Sequence, residues 1–220
     1  MTADTIDTND YAARAEQIRA DHDRTLERVR AAYTDKRLTA EARDNLIAKS
    51  HLKTQAALEE LRTAVNTQRT RTKQDLERRM FVPDTKDGND PATRATSFRQ
   101  ARAQADALGD GRAIRAELLQ AARSGDTLLA KAILQRAHDL AVRTQDKSLV
   151  ETIVGYVNEY RPDLRQTYMD LVDMEREDKS VAQRFQREAA FMHTIPTELG
   201  RYQAQQIEQI AADPRFTDTK

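Results

Sequence analysis

The sequence predicts an all-α protein: an N-terminal antiparallel coiled-coil hairpin, a bundle of short helices and a long C-terminal helix. Three observations carry this. Apolar residues recur at steps of three and four along most of the chain, the spacing that lines one face of a helix. Only six Gly and five Pro punctuate 220 residues. With 39% hydrophobic, 5% aromatic and no Trp, the chain has residues for narrow seams between helices rather than for a thick interior.

The first helix, roughly 11 to 36, carries Tyr11, Ala15, Ile18, His22, Leu26, Val29 and Tyr33 on one stripe. Thr39 can cap the next helix through its hydroxyl, and Glu41 sits in its first turn, where the dipole favours a carboxylate. So short a connection predicts that the second helix folds back antiparallel. There Ile47, His51, Thr54, Leu58, Leu61, Val65 and Gln68 alternate steps of four and three, the pattern of a two-stranded seam. Continued to Phe81, this helix is ~40 residues and ~60 Å long at 1.5 Å per residue. It outruns the first by about a third of its length, so apolar positions are left needing cover from the rest of the chain or from a second copy. Leu58, Leu61, Val65, Leu76, Met80 and Phe81 are therefore the candidate interaction residues.

The pattern stops at PDTKDGNDPATR, which resembles a calcium loop. Setting Gly88 at the sixth position of an EF-hand puts Pro83 at the first, Thr85 at the third and Arg94 at the twelfth, where a bidentate acid belongs. The segment reads instead as a linker, 83–91, and Asp90-Pro91 as the start of the next helix, which runs to about Leu108. From Gly111 to Tyr160 come three short helices, punctuated by Ser124-Gly125-Asp126 and Gln145-Asp146 and holding the richest supply of Leu, Ile and Val. Pro162 opens a long helix with Leu164, Tyr168, Leu171, Glu175, Asp178, Ala182, Phe185, Ala189 and Met192 in register. Its charged middle, DMEREDKS, predicts a solvated stretch. A last helix follows from about Thr197 to Ala212, then a tail. The expected division is a hairpin at 1–82, the linker, a short-helix bundle at 92–161, and 162–220.

Chemistry is sparse. There is no Cys, and 36 basic residues balance 36 acidic ones, so bulk charge does not suggest a nucleic-acid groove. The acidic N-terminus MTADTIDTND lacks a signal-peptide pattern and no run is long enough for a membrane span, so a cytoplasmic protein is expected. GDGR at 109–112 lacks the Lys-Ser/Thr of a phosphate loop. The four histidines, His22, His51, His138 and His193, show no HExxH or i,i+4 spacing. No catalytic, cofactor-binding or metal residue is assigned, His22 and His51 being read as polar seam positions. His138-Asp139 and His22-Asp23 are dipeptides of the kind found in helical metal-dependent phosphohydrolases. The basic stretch TQRTRTKQDLERR, Thr67 to Arg79, could meet phosphates but offers no aromatic residue for stacking. ELLQAARSGDTLLAKAIL read as a helix-turn-helix would bury Lys131.

ARSGDTLLAKAILQRA, Ala122 to Ala137, resembles one unit of a tetratricopeptide-type repeat, which implies helix-on-helix packing and a protein-binding face. RLTAEARDNLIAKSHLKTQAALEELR, Arg37 to Arg62, is similar in style to small helical head-assembly and scaffolding proteins of tailed bacteriophages. Together with the leftover apolar positions, this predicts a non-enzymatic, homo-oligomeric scaffold with a protein partner, in the host cytoplasm or virion if phage-encoded. The alternative is a nucleic-acid-associated regulator using residues 67–79. A phosphohydrolase comes third.

Overall fold

The structure, a computed structural model, describes residues 10–83 and 90–216. It is all-α: among the described residues there are nine α-helices, three short 3-10 turns and no strand. The calcium-loop question and most of the linker fall on residues 84–89, outside the described residues, as does the start of the N-terminal segment.

The chain forms two compact units, one comprising Met1–Thr70 and Ser180–Lys220, the other Arg71–Lys179. This is not the division expected from the sequence. The first boundary falls inside a helix rather than at the linker, and the C-terminal segment belongs with the N-terminal hairpin.

In the first unit, α1 (Tyr11–Thr34) is joined to α2 (Ala40–Phe81) by a turn in which Lys36 takes a left-handed backbone, φ 57°. Thr39 Oγ1 accepts from the Ala42 amide at 3.2 Å, as its position suggested. The pairing is antiparallel: Ala15 packs with Leu58, Leu61 and Val65, while Leu26 and Val29 pack with Ile47 and Ala48. The seam is not two-stranded, however. Leu199 and Ile207 complete one cluster, and Phe191 closes the other by stacking on Tyr11 at 5.5 Å between centroids. The returning segment is fastened by polar groups on α2. The buried Asp44 carboxylate accepts from Arg201 at 2.7 Å and from the Tyr202 hydroxyl at 3.1 Å, and the Asn45 amide donates to the Ile210 carbonyl.

The second unit gathers the end of α2, α3 (Pro91–Asp106), α4 (Gly111–Ser124), α5 (Thr127–Thr144), α6 (Lys147–Tyr160) and α7 (Arg165–Lys179). Asp90, Asp110, Asp126 and Asp146 each cap a helix by accepting from amides of its first turn. Gly125, at φ 73°, ends α4, with Asp126 N–H reaching Ala121 O at 2.9 Å and Gly125 N–H reaching Ala122 O at 3.2 Å. α5 is the central element, packed against α3, α4 and α6. Ile114, Leu118, Ile133, Leu134, Leu149 and Ile153 are almost wholly buried, each contributing about 1.5–3 kcal/mol by removal from water. Lys131 is buried too, and its ammonium donates to Val82 O at 2.6 Å, just beyond the C-terminus of α2.

The long C-terminal helix is corrected. It is two helices, α7 and α8 (Val181–Ala189), with Ser180 in an extended conformation capping α8 through the Gln183 amide at 3.3 Å. The last helix is shorter than expected as well: a 3-10 turn at Thr197–Leu199 precedes α9 (Ala204–Ala211).

Candidate functional site

The six residues expected to offer an interaction surface do not. Leu58, Leu61 and Val65 are buried in the first unit against α1 and Phe191, while Leu76, Met80 and Phe81 are buried in the core of the second. α2 does outrun α1, 42 residues against 24, but the chain covers the excess itself.

What the structure brings together is histidine. His22 of α1 and His51 of α2 face each other from the paired stripes, and His193, from the segment after α8, sits against both. The centroid of the His193 ring lies 4.6 Å from that of His22, edge-on, and 4.9 Å from that of His51, stacked. Each ring offers a nitrogen within 4.8 Å of the other two, and among the described residues no other group of His, Asp or Glu is gathered this way. His22 Nδ1 lies 2.8 Å from Ser50 Oγ. His22 Nε2, His51 Nδ1 and His193 Nε2 are all buried without a hydrogen-bond partner. An unmet buried polar atom costs about 1–3 kcal/mol, so three in one place call for an explanation. Burial lowers the proton affinity of all three rings, and the neighbouring imidazoles push His193 down further, to about 4. The rings are therefore neutral at pH 7, the state in which imidazole nitrogen is a ligand.

His193 is held where it is by its flanks. Arg19 donates to Ala190 O at 2.7 Å and to Met192 O at 3.3 Å, and Glu198 forms two hydrogen bonds with Arg30, at 2.6 and 3.0 Å. The Arg30 guanidinium, outweighing partial burial, holds the Glu198 carboxyl at about 2.

His138, in the second unit, is arranged differently. It is buried between Phe81 and Tyr168, and its Nε2 lies 3.3 Å from Glu175 Oε1, which Lys73 Nζ also reaches at 3.2 Å. Burial raises the Glu175 carboxyl, but His138 and Lys73 outweigh it and the net shift is downward. The DMEREDKS stretch is thus not simply solvated, because its seam position Glu175 is an enclosed ion-pair partner. The group borders a cleft of about 580 Å³ that also reaches Asp139 and Arg102. Among the described residues His138 and Asp139 do not belong to a group of three or more closely gathered His, Asp or Glu side chains. Within the basic stretch, Lys73 is committed to Glu175 and Arg78 to Asp75.

α8 stands apart. It is amphipathic, yet none of its residues is buried. Val181 is 71% exposed and Phe185 64%, one turn apart, and Met192 and Ile195 beyond the helix are more than half exposed.

Sequence reasoning found the stripes that carry His22 and His51 but not their convergence with His193, which depends on residues 190–199 docking on the hairpin. Ser180-x-x-Gln183 is the capping pattern that could have announced α8. No family model, curated protein or solved structure matches the chain. Among the described residues no helix is long and apolar enough to cross a membrane.

Proposed function

We propose that this is a non-enzymatic helical assembly protein that acts by binding protein surfaces, and that its first partner is a second copy of itself, joined through α8. The observation that carries this reading is the exposed stripe of Val181 and Phe185 on a helix whose other residues are largely polar. Single exposed apolar residues are ordinary, but two one turn apart on the same helix face, with exposed Met192 and Ile195 following in the next segment, form an apolar patch of the kind that meets another surface. A second copy is favoured because the chain's formal net charge is zero, so copies approach without long-range repulsion. The stripe is also narrow, matching a partner of its own width. The resemblance in style of residues 37–62 to bacteriophage head-assembly proteins is the reason for naming virion assembly as a setting.

Sedimentation velocity from low to high micromolar concentration tests this. Reversible dimerisation is expected, abolished by Val181→Glu with Phe185→Glu. A 25.0 kDa monomer throughout would sink it.

A further inference from the structure

We propose that His22, His51 and His193 form a binding site for a divalent transition-metal ion of the zinc class, coordinated by three imidazoles, with water as fourth ligand. The argument begins with the unmet nitrogens. Buried imidazole normally finds partners for both ring nitrogens, and here the three that lack one are His22 Nε2, His51 Nδ1 and His193 Nε2, one on each ring of a single cluster. Each ring also offers a nitrogen within 4.8 Å of one on each of the other two, so a single cation can be shared by all three.

The geometry is close to what an ion requires. Three points no more than 4.8 Å apart have a common centre within ~2.8 Å of each, and zinc–imidazole bonds are about 2.0–2.1 Å, so ring movements of less than ~1 Å complete the site. Ser50 Oγ, 2.8 Å from His22 Nδ1, can accept a proton carried there, and that tautomer leaves the Nε2 lone pair available to an ion. Such an outer partner is what orients ligating histidines generally. The donor set narrows the ion. Three neutral nitrogens without thiolate or carboxylate suit zinc, copper, nickel or cobalt rather than magnesium or calcium, and three imidazoles with one open position are a common zinc set. The site has a mechanical role as well. His22 and His51 lie on α1 and α2, and His193 on the segment after α8 that Arg19 and Glu198 hold down, so the ion ties that segment to the hairpin.

The test uses the full chain without a histidine tag, stripped with chelator and titrated with zinc chloride by calorimetry. One zinc per chain is expected, with a rise in melting temperature that His193→Gln abolishes and binding more than tenfold weaker in that variant. His138→Gln, outside the cluster, should bind zinc like the parent. Cobalt(II) in the parent protein should give the intense visible absorption of a tetrahedral site, a readout that needs no variant to fold. No zinc binding, equal binding by His193→Gln, or a weak octahedral cobalt spectrum would each overturn the proposal.

Discussion

Each unit of this protein buries histidine, and the two do so in opposite ways. In the second unit a lone imidazole, His138, faces a carboxylate that Lys73 also engages, and Phe81 and Tyr168 enclose the group. In the first, three imidazoles face one another, each with a buried nitrogen that meets nothing. Burial by itself says little about a histidine. What its inward nitrogen faces, an acceptor carboxylate or other imidazoles, separates the two arrangements.

The largest expected effect tests the paired arrangement. Glu175→Ala leaves the buried His138 and the half-buried Lys73 without their acceptor, and should cost about 1–3 kcal/mol in urea unfolding, as leaving a buried polar group unmet does. Acidification comes next and acts on both units. Glu198 has a folded value of about 2 against an ordinary 4.5, so its contribution is complete above 4.5 and is lost as pH falls toward 2. Solvent screening at the half-exposed Arg30 reduces that contribution to about 1–2 kcal/mol. Glu175, lowered in the same direction, adds to the loss. Melting temperatures followed from pH 6 to pH 2, roughly the span of these titrations, check the sign. A smaller effect is expected of His193→Leu in zinc-free protein. Replacing an unmet polar ring by an apolar side chain should change stability by no more than about 1 kcal/mol, and a large loss would mean the trio is settled by packing after all. The smallest stability effect belongs to Phe185→Ser, within about 0.5 kcal/mol, because that ring touches solvent; its consequence should appear in sedimentation instead.

Local signals made the helices legible. Thr39, Asp90, Asp126 and Asp146 cap the helices their positions suggested, and the stripe from Ile47 to Val65 is the face that α2 buries. These features depend on a few neighbouring residues, so sequence suffices. The division into units was not legible, because it depends on which distant segment covers each apolar position. Leu76, Met80 and Phe81 look unpartnered along the chain, yet they belong to the core of α3 to α7. Leu199 and Ile207 lie in the span expected to be a terminal helix, and they close the hairpin. Two of the three histidines were visible on the facing stripes, and the third was hidden by the same return of the chain. A charged seam position such as Glu175 is ordinarily solvated, and the partners that engage it here, His138 and Lys73, lie far away in sequence.

The order of the two units along the chain bears on how the protein is made. The first unit is completed only by residues from Ser180 onward, after the whole of the second has been synthesised. On the ribosome, α1 and α2 therefore emerge early with Leu26, Val29 and Ile47 still lacking Leu199 and Ile207, while the second unit can already close around Ile133. The nascent hairpin must wait with a sticky flank. A premature stop late in translation would release a chain half folded, with one finished body and one open seam.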